Sequence, residues 1–293
     1  MLKIERKFIE FVEKHLFLLC ALISVLLALY LRKMAVWWHY GAVSSYFDMH
    51  EHDTHTVTYY LIVRLLQYLP LLPLHSMKWM AGLADFGVAG LVTYLLGKEA
   101  NASKRLIFFI TCLFSPVLFL KGITWGQIDS VEILLLLIGY GLYSGEGSDS
   151  RKYRKWLALL PAACATALCP WLFFIVLWYL WRREERQSDF WCRTLLFTAG
   201  IFVLQLVSAL FLQVSIKESF FSLVRCLTYH PESGMPYDNA AEWFTQMLGL
   251  CGPAASILTM LAAGRRRFPY AWAILIQIIT TALYGTYLFR EVV

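Results

Sequence analysis

The chain has 293 residues, of which 59% are hydrophobic and only 16% are charged, and its mean hydropathy is +0.58. A soluble domain has about 25% charged residues, so this composition excludes an ordinary soluble protein and indicates an integral membrane protein. The net charge of +6 is expected to come from basic cytoplasmic loops, and it does not indicate nucleic-acid binding.

Several apolar segments approach the roughly 20 residues that a helix needs to cross a bilayer. In chain order they are 16–36, 77–96, 106–120, 131–143, 194–214, 243–263 and 269–289. No small-residue cleavage site follows the first of them. The sequence therefore predicts a retained first helix and not a removed signal peptide.

The run DMHEHDTH, residues 48–55, follows the first span and is the most polar stretch of the chain. Its three histidines are candidate metal ligands, because imidazole favours zinc, copper, iron or nickel over magnesium. A solvated surface loop is one alternative, and a general-base role for one aspartate is another. The candidate ligands are His50, His52 and His55, and the candidate bases are Asp48 and Asp53.

The next segment, 58–74, is apolar but carries Arg64 and two prolines. This mixture predicts a short or interfacial helix and not a full span. An ionisable group in such a segment is a functional candidate by default. Arg64 could contact a lipid phosphate, pair with an acid of the outer loop, or extend to the interface.

The motif TWGQIDS, residues 124–130, separates two apolar segments. Trp125 offers a face that stacks on sugar rings or lies at the lipid interface. Gln127 and Asp129 offer hydrogen-bonding groups to a bound substrate. The simpler interpretation is a helix start, with Asp129 or Ser130 as the N-cap and an acid in the first turn.

Segment 156–180 is either one span or two short helices, because proline disfavours helix at the residue before it, here Cys169. Four loops are rich in Lys and Arg, and the positive-inside rule places all of them in the cytoplasm with the N-terminus. That arrangement requires 156–180 to enter and return on one side. We therefore predict a shallow, re-entrant-like hairpin of 156–168 and 170–180.

With this topology, three segments lie on the outer face: 37–75 with the short helix 58–74, 121–130, and 215–242. The last is a long loop, and long loops without structure are often functional. Arg225 and His230 are its candidate phosphate contacts, although an ordinary connector would look similar.

The predicted fold is all-α: a single integral membrane domain over 1–293, a polytopic transmembrane bundle of about nine or ten membrane helices. A transporter would show polar residues along mid-membrane helices or paired broken helices in two repeats, and the sequence shows little of either.

The hexapeptide WGQIDS followed by an apolar helix resembles the Trp-Gly-Gln-x-Asp-Ser motif of polytopic glycosyltransferases of the GT-C superfamily. The likeness is greatest to bacterial relatives of the second mannosyltransferase of GPI-anchor synthesis. Residues 68–97 look like that group's Leu-Pro-rich stretch leading into Lys-x-x-x-x-x-x-Asp, with Lys78 and Asp85 at those places. Residues 157–183 resemble its short helical hairpin.

The resemblance implies a GT-C-type hexosyltransferase that takes a sugar from a polyprenyl-phosphate donor at the outer membrane face. The partners would be the lipid bilayer, that donor, and an extracytoplasmic glycan, lipid or protein acceptor, with no nucleic acid. Many relatives use a divalent cation and others do not, so the metal stays open. The membrane would be a bacterial plasma membrane or a eukaryotic ER membrane.

The chain departs from this family where relatives carry an Asp-containing motif soon after the first helix. The corresponding stretch, YGAVSSY, has no acid, so Asp48 and then Asp53 are the nearest substitutes for the general base. Cys169 stands where a lysine often precedes the hairpin proline. The alternative function is therefore a non-catalytic scaffold or partner in envelope polysaccharide or glycolipid assembly.

Overall fold

A computed structural model describes residues 3–37, 55–96, 101–124, 126–144, 151–183, 186–228 and 254–262, with isolated positions between 243 and 282. All regular structure in these ranges is helical. The helices are α1 Lys3–Val36, α2 Val57–Leu66, α3 Pro73–Leu96, α4 Ala102–Leu113, α5 Pro116–Phe119, a π-helix Leu120–Thr124, α6 Asp129–Ser144, α7 Arg151–Leu168, α8 Leu172–Arg183, α9 Gln187–Leu212 and α10 Ile216–Thr228.

Four helical segments within the described ranges are long and apolar enough to cross a membrane: His15–Val36, Pro73–Leu96, Ala102–Phe119 and Gln187–Leu212. The all-α architecture is thus confirmed for the described residues, and the four segments indicate a membrane protein. The count of nine or ten membrane helices stays a prediction. The predicted spans 243–263 and 269–289 lie largely outside the described residues.

The predicted span 106–120 is not one continuous helix. α4 ends at Leu113, and α5 begins at Pro116 after a break at Phe114 and Ser115. Pro116 lacks the N–H that an uninterrupted helix would use, and it disfavours helical backbone at Ser115. The predicted short helix within 58–74 is confirmed as α2, which ends at Leu66 before an irregular turn.

The predicted break in 156–180 is also confirmed. α7 ends at Leu168, α8 begins at Leu172, and Pro170 lies between them. The two helices return to the same place: Lys155 Nζ of α7 lies 5.1 Å from the centre of the Tyr143 ring, and the Tyr179 ring of α8 lies 5.3 Å from it. α7 and α8 therefore form a helical hairpin.

The hairpin packs along the full length of α6, and its depth in the membrane stays a prediction. α7 contacts the end of α6 through Lys155, and its other end, Leu168, lies in one apolar cluster with Ile128 just before α6. α7 thus runs antiparallel to α6 along the whole of that helix. The sequence did not reveal this extended contact because four basic residues in the first turns of α7 lower its mean hydropathy.

Small residues let the central helix α7 approach its neighbours closely. A Cβ atom on Gly139 of α6 would lie 3.1 Å from the carbonyl oxygen of Ala158. A Cβ atom on Gly200 of α9 would lie 3.2 Å from the Cβ of Ala163. Small residues at helix contacts increase van der Waals packing, which stabilises association in membranes. The alanine-rich sequence of α7 therefore holds α6 and α9 against it.

The bundle has two ends that differ in chemistry. At the first, which we call the basic end, the end of α6, the start of α7, the end of α8 and the start of α9 meet around Tyr143, whose hydroxyl accepts a 2.7 Å hydrogen bond from Arg193 Nη1. At the second, which we call the motif end, α1, α4 and α7 end and α6 begins, with the residues of TWGQIDS between them.

Candidate functional site

The loop that carries the WGQIDS sequence folds against the start of α3. It begins with the π-helix Leu120–Thr124 and continues through Gly126, whose φ of 79° is left-handed. The Gly126 N–H donates to the carbonyl oxygen of Gly122 at 2.8 Å. A Cβ atom on Gly126 would lie 2.9 Å from Leu74 Cδ1 and 3.5 Å from Lys78 Cγ. The glycine of the motif is therefore required by both conformation and space.

Ile128 anchors the next part of the loop in an apolar cluster. It is buried together with Tyr59, Tyr60, Val63, Met77 and Leu168. Its two neighbours, Gln127 and Asp129, are only half-buried. The cluster therefore joins the motif loop to α2, and through α2 to the chain that follows the polar run 48–55.

The prediction that Asp129 or Ser130 caps α6 was wrong. The helix begins at Asp129, and the carbonyl oxygen of Ile128 accepts hydrogen bonds from the N–H groups of Val131 and Glu132. Ile128 thus occupies the N-cap position. The expected acid in the first turn is present as Glu132, which suits the positive end of the helix dipole.

Ser130 instead contacts the acidic residue of α3. Its hydroxyl donates to Asp85 Oδ1 at 2.5 Å, and Arg32 Nη2 of α1 donates to Asp85 Oδ2 at 2.7 Å. Asp85 and Arg32 are 0% and 1% exposed. A buried carboxylate and guanidinium are tolerated when each is paired and hydrogen-bonded. This network holds α1, α3 and the start of α6 together.

The two buried cations of this region also bind the ends of helices. Arg32 Nη2 donates to the carbonyl oxygen of Leu113 at 2.9 Å, and Lys78 Nζ donates to that of Val36 at 3.3 Å. These carbonyls belong to the last residues of α4 and α1, where the helix leaves its acceptors unsatisfied. Side-chain cations at a helix C-terminus also complement its dipole.

Uncharged donors do the same for two other helices at the motif end. Gln205 Nε2 donates to the carbonyl oxygen of Ala167 near the end of α7, and Trp171 Nε1 donates to that of Cys226 near the end of α10. Carbonyls at these helix ends are therefore bonded by side chains from elsewhere in the fold. Such an arrangement is expected where backbone groups are shielded from water.

Arg225, a predicted phosphate contact, has an acidic partner. Its Nη2 donates to Glu218 Oε1 at 2.7 Å, and its guanidinium lies 5.0 Å from the centre of the Phe221 ring. The side chain is 10% exposed, whereas that of Glu218 is 31% exposed. An anionic ligand could contact Arg225 only by competing with this carboxylate.

α10 also contacts the start of α2. The N–H of Val57 donates to Ser222 Oγ at 3.3 Å, and Ser208 Oγ of α9 donates to Thr58 Oγ1 at 3.1 Å. Ser222 is one turn before Arg225 in α10. The end of the first outer segment, the motif loop and the helix of Arg225 therefore meet at the motif end.

Two other predicted residues lie at either end of α2. Arg64 is exposed at the end of α2, and its Nη1 donates to Gln67 Oε1 at 2.9 Å. His55 is half-buried, and its ring lies 4.3 Å from that of Tyr59. Within the described ranges, no group of three or more His, Cys, Asp and Glu side chains could hold a metal ion.

The remaining predicted site residues lie outside the described residues. They are Asp48, Asp53, His50, His52, Trp125 and His230. The general base, the metal ligands other than His55 and the stacking tryptophan therefore stay predictions.

Arg32 and Glu218 were missed by the sequence analysis. Arg32 did carry a signal, because it is a cation within the predicted span 16–36 and such a residue requires a partner. Asp85 is likewise a charged residue within a predicted span, 77–96. Glu218 carried none, since it precedes Arg225 by seven residues in a segment predicted to be a loop. The prediction of a loop over 215–242 was therefore partly wrong, because residues 216–228 form the helix α10.

Comparison with known proteins adds no relative: no protein-family model, no curated protein and no solved structure matches the chain.

Proposed function

We propose that this protein is a GT-C-type membrane glycosyltransferase that moves a sugar from a polyprenyl-phosphate donor to an extracytoplasmic acceptor. One observation carries the proposal. Within the WGQIDS motif, Gly126 lies against Lys78 and Ser130 donates to Asp85, the two polar positions of the other segment that resembles this family. Two stretches that are alike in sequence to one family are thus parts of one folded unit.

The half-buried side chains of this unit have suitable chemistry for a sugar. Gln127 offers two donors and an acceptor, and Asp129 offers a carboxylate. Both lie next to Ile128, which joins them to α2 and so to the segment that contains Asp48 and Asp53. In the proposed reaction, one of these two aspartates accepts the proton of the acceptor hydroxyl while that oxygen attacks the sugar carbon and the lipid phosphate leaves.

The activity is tested by transfer from a panel of polyprenyl-phosphate sugars with the purified full chain in detergent. We expect turnover on one donor, lost by at least 100-fold in Asp48→Asn or in Asp53→Asn, since general-base catalysis contributes about 10²–10⁴-fold. Glu51→Gln is the matched control in the same run and should leave turnover unchanged. Turnover on no donor, or turnover that survives both aspartate substitutions, contradicts the proposal.

The pairing of Arg225 favours a second candidate, a non-catalytic scaffold in envelope polysaccharide or glycolipid assembly. The predicted phosphate contact already has a carboxylate partner, and Arg64 is exposed and donates to Gln67. Glu218→Gln separates the two functions. If Arg225 binds a donor phosphate, removing the competing carboxylate lowers the Kd for a polyprenyl-phosphate sugar. A scaffold binds no such donor in either form.

A further inference from the structure

A crevice of about 60 Å³ lies between α6, α7, α8 and the helical residues 254–262, away from the motif loop. Among the side chains that line it, only three tyrosines and Trp178 carry polar atoms, and none is charged. Its lining extends to Tyr143 at the basic end, about 22 Å along α6 from Ile128 at 1.5 Å per residue. A wall without charged groups or aliphatic hydroxyls suits a hydrocarbon chain and does not suit a sugar phosphate.

Exposed aromatic side chains lie on the helix ends that form the basic end. They occupy the start of α7, the end of α8 and the start of α9: Tyr153, Trp156, Trp178, Trp181 and Trp191. Tryptophan and tyrosine are enriched at the level of the lipid headgroups. The basic end therefore lies at a membrane surface, and Trp178 is both part of that belt and part of the crevice wall.

The helices that form the crevice continue into cationic residues at the same end. Lys155 lies one turn before Ala158 and Leu159 on α7, and Arg182 lies one turn after Tyr179 on α8. Helical periodicity places both on the side of the helices that faces the crevice. Arg154 and Arg186 are also exposed at the basic end. Among the described residues of this end, Asp189 is the acidic side chain that offsets these positive charges.

We propose that this crevice holds part of one acyl chain of an anionic phospholipid of the phosphatidylglycerol type, with its phosphate beside Lys155 and Arg182. The hydrocarbon contacts the apolar walls, and the headgroup contacts cations that already lie at headgroup level. Basic pockets between membrane helices on the cytoplasmic side bind anionic lipid headgroups in this manner. The site is separate from the proposed sugar-transfer site and does not depend on it.

The test is native mass spectrometry of the full chain in detergent, titrated with dioleoylphosphatidylglycerol or dioleoylphosphatidylcholine. We expect the wild type to bind phosphatidylglycerol at least fivefold more tightly than phosphatidylcholine. The double substitution Lys155→Gln and Arg182→Gln should abolish this preference. Lys217→Gln, which removes an exposed cation from α10 at the motif end, is the matched control and should preserve it.

A second variant tests the apolar part of the site. Ile175→Trp enlarges a half-buried side chain of the wall, and it should weaken binding of both lipids at least fivefold. Its thermal unfolding midpoint is measured in parallel. If Ile175→Trp does not fold, the charge variant alone decides. Equal affinity for the two lipids in the wild type, or an unchanged preference in the charge variant, overturns the proposal. So does unchanged affinity in a folded Ile175→Trp protein.

Discussion

The basic end and the motif end of the bundle both contain cations, but they use them differently. At the basic end, Arg154, Arg182 and Arg186 are exposed among aromatic side chains. At the motif end, Arg32 and Lys78 are buried and donate to helix carbonyls. The comparison teaches that exposed cations prevail at the basic end, where Arg193 is the buried exception that donates to Tyr143, whereas the buried cations of the motif end hold helices together. Their substitutions should therefore differ sharply in effect.

The largest effect is expected at the buried ion pair of the motif end. Asp85→Asn keeps the side-chain shape but leaves the Arg32 guanidinium without its counterion, which should lower the free energy of unfolding by about 3–5 kcal/mol. Chemical denaturation in detergent measures this change. The double substitution Arg32→Met and Asp85→Leu removes both charges and should be more stable than Asp85→Asn. If the double variant is the less stable protein, the charges are not coupled as described.

A smaller effect is expected from Gly126→Ala in the motif loop. Alanine at a φ of 79°, with its Cβ 2.9 Å from Leu74 Cδ1, should lower the free energy of unfolding by about 1–3 kcal/mol. Gly90→Ala in α3 is the matched control, since a Cβ atom there has no neighbour within 4 Å. It should be neutral or stabilising by about 0.5–1 kcal/mol. Equal destabilisation by the two substitutions would mean that the loop conformation is not what Gly126 supplies.

Arg225→Gln should have a still smaller effect and lower the free energy of unfolding by about 1 kcal/mol. The loss is small because Glu218 is 31% exposed and is hydrated when its partner is lost. The counterpart at the basic end is Arg186→Gln. Because Arg186 is exposed, we expect this substitution to change the free energy of unfolding by no more than about 0.5 kcal/mol. Thermal unfolding of both variants side by side measures the difference. A larger loss from Arg186→Gln would reverse the contrast between the ends.

The smallest effect on stability is expected from two cysteine substitutions that test which side of the membrane each end of the bundle faces. In a Cys192→Ser background, Arg186→Cys at the basic end and Lys217→Cys at the motif end both replace exposed side chains. A membrane-impermeant maleimide should label Lys217→Cys in intact cells, and Arg186→Cys only after permeabilisation, because basic loops stay in the cytoplasm. Labelling of both positions from one side would contradict the proposed topology.

Local features of the fold could be predicted from the sequence. The break between α7 and α8 follows from Pro170 and its effect on the preceding residue, so it requires no knowledge of the neighbours. The short length of α2 follows similarly from the charge and prolines of 58–74. The break after α4 was a local feature too, and Pro116 could have revealed it.

The contacts of the candidate site could not be predicted in the same way. Ser130 is separated by 45 residues from the carboxylate that accepts its hydrogen bond, and nothing near Ser130 identifies Asp85. We expected Ser130 to cap α6 because a serine at a helix start commonly accepts a hydrogen bond from a backbone N–H of the first turn. Tertiary contact replaced it. The same holds for Arg225, whose acidic partner depends on a helix that the sequence analysis had assigned to a loop.

The ion pair between Arg32 and Asp85 also bears on the order of synthesis. Arg32 leaves the ribosome 53 residues before its partner. In the proposed topology α1 enters the bilayer while its guanidinium still lacks a counterion, which is unfavourable by about 2.5–3.5 kcal/mol at a helix centre. Arg32 lies only four residues before the end of α1, so its long side chain can reach the headgroups in the meantime. The buried pair can then form only after α3 has been synthesised.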